Sequence, residues 1–369
     1  MIKLAAPHID DEDVAAVERV LRSGQLVQGR EVAAFEAEIS SLTGSAHTVA
    51  VGSCTSALHL ALLALDVGPG DEVIVPAFSW PATANVVAFC GATPVFADIE
   101  AKSFGMAPDA LRETLRQHSR VRAIMPVHAF GAMAEIESIL EQARDAGIPL
   151  IEDAACAFGT MTADRQAGRW GEMGCFSFHP RKAITTAEGG AVVTDDAEFA
   201  RRLRMFRNHG IDPEASTPDF VLAGLNQRMT EIQAALGRTQ LRKLDWLIAG
   251  RREMAARYDK LLAGSSLTTP KPPTPAAHVY QSYVVLVHER RATERDQIIA
   301  RLREERIEAS IGTHHIPLLR FYRTNFGYSK GDFPVTDSVA SRAIALPLHA
   351  YLTAEDQARV AEVLRAAAD

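Results

Sequence analysis

The sequence lacks the marks of several protein classes. Its four cysteines, Cys54, Cys90, Cys156 and Cys175, form no C-x-x-C pair, so they offer neither the usual zinc-ligand spacing nor a disulfide framework. We expect no metal centre, four reduced thiols and a reducing, cytoplasmic setting. The opening MIKLAAPHIDDED has no basic-then-apolar order of a secretion signal. No apolar run approaches the roughly 20 residues that span a bilayer. There is no basic tail or stripe either, and 39 Lys and Arg against 46 Asp and Glu give a net charge of -7. That balance argues against broad binding to nucleic acid or anionic membrane. Internal repeats and low-complexity tracts are absent. What remains is a chain of 369 residues, 47% hydrophobic, enough for a large core and, by length, for one big domain plus a smaller one.

Asp10 is placed to cap a first helix whose apolar stripe is Val14, Val17, Val20 and Leu21, stopped at Ser23-Gly24. A second helix is expected from Glu31 to about Leu42, ending at Gly44. Between Val49 and Thr194 short apolar runs alternate with helical stretches. The runs are 72–76, 93–98, 123–127, 149–153, 175–178 and 191–194; helical patterns include 56–65 and 135–147. Continuous rather than alternating hydrophobicity fits strands buried on both faces, hence a three-layer α/β domain with a mostly parallel sheet. Ligands of such sheets sit beyond the carboxyl ends of the strands. A long helical region is expected from Glu231 to about Leu262, with Gly237 and Gly250 as candidate bends. After the proline-rich connector 268–275, a strand (283–287), a helix (293–306), a strand near 309–311 and a last helix capped by Thr353 read as a small α+β domain. We therefore divide the chain into a large α/β domain, 1–250, and a small C-terminal domain, 251–369.

Four segments carry chemistry. In GSCTSALH (52–59) a hydroxyl-rich loop opens a helix whose free N–H groups suit an anion. Trp80 follows a strand end and offers a flat stacking face. Asp153 ends the strand PLIED and, if buried, needs a cationic partner. Lys182 lies in the loop between two apolar strands, where an amine of lowered pKa forms an imine. Singly, these residues are also explained as an N-cap, a core aromatic, a salt bridge and a surface lysine. In this order they supply what pyridoxal phosphate requires: a phosphate cradle, a stacking face, a carboxylate for the pyridine nitrogen and a lysine for the aldehyde.

The chain resembles the DegT/DnrJ/EryC1/StrS family, the fold-type I sugar aminotransferases, over essentially its whole length. The blocks SGQLVQGREVAAFE (23–36), GPGDEVIVPAFSWPATAN (68–85), IEDAACAFG (151–159), FSFHPRKAITTAEGGAVVTDD (176–196) and GLNQRMTEIQAALGRTQL (224–241) carry the likeness. The resemblance implies that Lys182 holds the cofactor and that Asp153 pairs with its ring nitrogen. It implies that Trp80 stacks on the ring and Cys156 lies near the ring hydroxyl. Thr55, Ser56 and Ser177 would bind the phosphate in cis. Asn226 would reach the phosphate of the neighbouring subunit's cofactor in a homodimer, Arg228 would lie near that interface, and His314 would stand beside the substrate. The implied reaction moves an amine from L-glutamate to a nucleotide-linked keto sugar, with a 4-keto-6-deoxy sugar preferred, in a lipopolysaccharide, O-antigen or antibiotic-sugar pathway. Lys182 argues against the dehydratases of the family, which carry His there. A keto-inositol acceptor and a non-catalytic regulator are the alternatives, although a helix-turn-helix with a basic face is missing for the latter. The sequence departs from the family pattern at Cys54, Cys156, Gln227, His315 and Leu319, where Gly, Gln or His, an aromatic, Tyr and His are common.

Overall fold

A computed structural model describes residues 1–217 and 219–369. Seven strands form the main sheet: β1 (His47–Val51), β2 (Glu72–Pro76), β3 (Thr93–Ala97), β4 (Val121–Ile124), β5 (Ile151–Asp153), β6 (Met173–Ser177) and β7 (Gly190–Thr194). Their order is β3-β2-β4-β5-β6-β7-β1. The bridges Ile124 to Leu150 and Val127 to Asp153 join the two halves. Only β7 runs against its neighbours. The expected run 123–127 is displaced: its strand starts at Val121 and ends at Ile124, because Pro126 cannot donate within a central ladder.

Successive strand residues face opposite sides, and both sides here are apolar. Ala50, Ile74, Phe176, Ala191 and Val193 join one core; Val49, Val51, Val73, Val75, Cys175 and Val192 join the other. The first core is covered by α2 (Arg30–Thr43), α5 (Pro108–Gln117), α6 (Ile136–Ala146) and α8 (Glu231–Leu241). The second is covered by α3 (Cys54–Ala64), α4 (Ala82–Phe89) and α7 (Ala197–Arg207). The continuous hydrophobic runs are thus the signature of a three-layer fold.

The helix α1 (Asp11–Ser23) starts at Asp10 in a capping box with Asp13. Its buried face differs from the expected stripe: Asp13, Ala16 and Val20 are buried, whereas Val14 and Leu21 are more than half exposed. Asp13 turns that face inward because the Thr239 hydroxyl, Gln240 Nε2 (2.9 Å) and Lys243 Nζ (2.9 Å) all reach its carboxylate. Lys243 also accounts for a second correction. The helical region 231–262 bends neither at Gly237 nor at Gly250 but breaks after α8, and α9 (Leu244–Leu261) starts beyond Lys243, which is held by Asp10 and Asp13. Gly237 serves close packing instead, since a Cβ there would meet the Phe35 ring at 2.7 Å.

The first half of α9 (Leu244, Leu247, Ile248) belongs to the first core. Its second half (Met254, Ala255, Tyr258) belongs to a third core, under β8 (Tyr283–Leu286), β9 (Ser310–Ile311) and β10 (Ala343–Leu346). These strands form an antiparallel sheet in the order β8-β10-β9. It is flanked by α10 (Arg295–Glu304), shorter than expected because Glu289–Glu294 is a 3-10 turn, by α11 (Arg320–Phe326) and α12 (Pro334–Arg342), and by α13 (Ala354–Ala368), capped by Thr353. Residues 2–4 run beside this unit: Ile2 N–H donates to Arg306 and Leu348 N–H to Leu4. Among the described residues no helix is long and apolar enough to cross a membrane.

Glu231, at the start of α8, ties α8 to α2. Its buried carboxylate accepts the N–H groups of Gly29 (2.8 Å), Glu31 (2.9 Å) and Val32 (2.9 Å), capping α2 where the helix dipole favours an anion. Replacing Glu231 by Ala leaves these donors unmet. We expect a loss of about 2–3 kcal/mol in chemical unfolding, with Glu231→Gln recovering part of it; unchanged stability of the Ala variant would contradict this capping role.

Candidate active site

The site lies at the carboxyl ends of β5 and β6, where the sheet brings distant residues together. Asp153 ends β5 and pairs in register with Cys175 on β6; Ser177 ends β6 opposite Gly190, and Gly190 stands opposite Val51, just before the phosphate-loop candidate. Gly190 is required there, because a Cβ would sit 2.6 Å from Cys54 N and from the Ser53 carbonyl. The first turn of α3, Ser177 and Gly190 are thereby stacked against each other.

Asp153 is buried, 5% exposed. The Thr83 hydroxyl donates to its Oδ2 (2.8 Å) and the Ala155 N–H to its Oδ1 (3.2 Å); Thr83 in turn meets Ser79 at 3.0 Å. Among the described residues no salt bridge reaches it. Burial pushes its carboxyl above the usual range, against the pull of Thr83, Ala155 and the charge of Lys182. Half of an ion pair is therefore built into the sheet end.

The preceding residue faces the other way. Glu152, fully buried, accepts from Gly168 N (2.8 Å) and Gly171 N (2.9 Å) and meets His128 Nε2 at 2.8 Å. His128 Nδ1 accepts the Ala134 N–H (3.2 Å), so the ring proton sits on Nε2 and is donated to Glu152. This network fixes the end of β5 from behind.

Lys182 reaches into the same space, its Nζ 3.0 Å from Cys156 Sγ. Its amine contradicts the expected lowered pKa. Burial works downward, but the Cys156 thiol, Cys54 and Asp153 outweigh it and hold the amine above its ordinary value. The sequence, in which Lys182 and Cys156 are 26 positions apart, does not reveal that neighbour.

Trp80 is 64% exposed and leans on His314, ring centroids 5.3 Å apart. A two-residue pairing of Phe78–Ser79 with His314–His315 brings them together, and burial lowers the His314 pKa. At the α3 start Ser53 is the N-cap, accepting the Ser56 N–H (3.1 Å), while the Ser56 hydroxyl donates to Gln227 Oε1 (2.7 Å). Thr55 is exposed. The Arg228 backbone bridges Val51 beside this loop, but the Asn226 and Arg228 side chains lie elsewhere. Asn226 is exposed on a loop paired with Asn208, and Arg228 donates to the Asn208 side chain. Sequence reasoning missed Thr83, one helical turn past Trp80, and marked Gln227 only as a departure from the family pattern, without its contact to Ser56.

The buried carboxylate without a cation, the helix N-terminus, the open indole and the lysine fit pyridoxal phosphate by the chemistry of the donors. A family model describing DegT/DnrJ/EryC1/StrS aminotransferases matches residues 7–365. The chain belongs to this family. It is 36% identical over 366 residues to the GDP-perosamine synthase of Caulobacter vibrioides, covering 98% of this chain and 97% of that one. Among solved structures it resembles Helicobacter pylori PseC, an aminotransferase involved in the biosynthesis of pseudoaminic acid. That likeness has a TM-score of 0.94 and 31% identity, covering 100% of this chain and 99% of PseC. It also resembles Spr1654 of Streptococcus pneumoniae in its PLP form, with a TM-score of 0.93 and 30% identity, covering 100% and 98%.

The raised Lys182 pKa has a kinetic consequence for the cofactor-free protein. The amine is an ammonium at neutral pH, and only the neutral form attacks an aldehyde. Its neutral fraction grows about tenfold per pH unit below the pKa. Capture of pyridoxal phosphate should therefore accelerate between about pH 7 and about pH 9, followed by visible absorbance; a rate flat across that range would contradict it.

Proposed function

We propose that this protein is a pyridoxal phosphate-dependent aminotransferase that passes an amine from L-glutamate to a nucleotide-linked keto sugar, of the 4-keto-6-deoxy type. The observation that carries the reading is the buried, cation-free Asp153 facing the same space as the Lys182 amine, between an open indole and a helix N-terminus. Family membership supports amino transfer. A sugar acceptor is supported by the relatives described as a perosamine synthase and as a pseudoaminic acid aminotransferase. The FHPRK and AEGG segments support the finer choice of acceptor.

When bound, pyridoxal phosphate supplies an aldehyde that carries the amine and a pyridinium ring that takes up the electron pair released at carbon. Asp153 keeps the ring nitrogen protonated, and Thr83 and Ala155 aim its two oxygens. Lys182 Nζ holds the cofactor at rest. Once freed, its amine would be the group that moves a proton between the donor's α-carbon and the cofactor. The α3 first turn, Thr55, Ser56 and Ser177 hold the phosphate. The Ser56 hydroxyl, which donates to Gln227 Oε1, is the one that would turn toward the phosphate. Trp80 would offer its face to the ring, Cys156 would stand near the ring hydroxyl, and His314 would stand beside the sugar.

We further propose a homodimer in which Asn226 completes the neighbouring subunit's phosphate site and Arg228 lies near the interface. The same stretch exposes Phe220, Val221 and Leu225, an apolar ridge suited to burial against a second copy.

Borohydride reduction of the loaded protein should fix the cofactor on Lys182, and peptide mapping reads the position. Asp153→Asn should keep most cofactor yet lose turnover by about a hundredfold or more, since an amide does not hold the ring proton; near-normal turnover would refute the role of Asp153. For the dimer, inactive Lys182→Ala and Asn226→Asp chains are mixed. One site of each mixed pair inherits neither defect, so activity should return to about half of wild type per pair. Verified exchange without recovery would overturn the shared site.

A further inference from the structure

The contact between Lys182 and Cys156 carries a second chemistry. The amine and the sulfur stand 3.0 Å apart, within reach of a bond between them after little movement. Cys156 is partly exposed, unlike the buried Cys54 and Cys175. The other thiols are poorly suited. Burial raises Cys54 and Cys175 well above the ordinary range and pushes Cys90 up to about 11, which leaves them as weak nucleophiles. All four cysteines are free.

We propose that the cofactor-free protein is a redox-sensitive form in which peroxide joins Cys156 Sγ to Lys182 Nζ by a sulfur–nitrogen bond. In the first step the Cys156 sulfur attacks one oxygen of hydrogen peroxide. The O–O bond breaks, the departing hydroxide takes up the thiol proton as water, and the sulfur, oxidised by two electrons, becomes a sulfenic acid. In the second step the neutral Lys182 amine attacks that sulfur. The S–O bond breaks, and hydroxide leaves with one proton from nitrogen as a second water. One peroxide is consumed, two waters form, and the protein is lighter by two hydrogens. An external thiol reverses the bond by attacking the sulfur and releasing the amine.

The consequence is a lock on loading. The crosslinked Lys182 has no free amine with which to capture an aldehyde, whereas a lysine already committed to the cofactor has none to give to sulfur. The protection by cofactor rests on the function proposed above; the crosslink in the free protein does not.

The test treats cofactor-free protein with hydrogen peroxide and maps its peptides by mass spectrometry. The expected product is one linked peptide pair, 151–159 with 176–196, lighter by two hydrogens and restored by dithiothreitol. Capture of pyridoxal phosphate should fall in proportion to the linked fraction. Cys90→Ser should leave the link intact, and Cys156→Ser should abolish it. Lys182→Arg should instead accumulate a sulfenic acid at Cys156 that a dimedone probe traps, so the first step is read even where the second is blocked. Cys156 oxidised to sulfinic acid beside a free Lys182, or a Cys54–Cys156 disulfide in its place, overturns the proposal. A link that forms equally in cofactor-loaded protein leaves the crosslink standing and removes Lys182 from its role as cofactor anchor.

Discussion

Everything at the site depends on the alternation of two adjacent carboxylates at the end of one strand. Side chains of a strand point to opposite faces, so Glu152 and Asp153 cannot share a partner. Glu152 is spent entirely on structure, with backbone N–H donors and His128 filling its oxygens. Asp153 is left under-satisfied on the other face, fixed in direction by Thr83 and Ala155. A buried carboxylate in that condition is unfavourable to the folded chain alone. The cost is tolerable because the strand is pinned from behind, and a cation arriving in front of Asp153 recovers it. Cofactor binding and folding are therefore linked, and the loaded protein should be the more stable species.

Much of the fold was legible because its strands are buried on both faces. Runs such as EVIVP leave no polar position to confuse the period, and the helix caps at Asp10, Thr230 and Thr353 are written in side chains that accept backbone N–H groups. The failures share a cause: contacts between distant residues. The break before α9 has no glycine or proline to mark it and follows from the grip of Asp10 and Asp13 on Lys243. The buried face of α1 is set by Asp13, a polar residue that hydrophobic periodicity scores as outward. The strand pair that brings His314 to Trp80 is two residues long, too short for any pattern.

The site shows the same division. Lys182, Asp153, Trp80 and the α3 loop were legible as an ordered set because each chemical need of the cofactor selects a residue type. Gln227 and Thr83 were not, since amides and hydroxyls occur everywhere and their meaning lies in what they touch. The direction of the Lys182 shift was misread for an electrostatic reason. Burial alone argues for a lowered value, but the outcome is set by the sign of nearby groups, and the sulfur beside the amine is supplied by another strand end.

The contacts of residues 2–4 have a temporal meaning. Leu4 N–H donates to Glu308 at 2.9 Å, 304 residues along the sequence. At a synthesis rate of about 5–20 residues per second, roughly 15–60 s separate the appearance of these partners on the ribosome. The main sheet can close over its two cores during that interval, whereas residues 2–4 must wait for Arg306, Glu308 and Leu348, which flank β9 and β10. Residues 2–4 are thus made well before the partners that hold them, and they act as a clasp on the unit built around the third core.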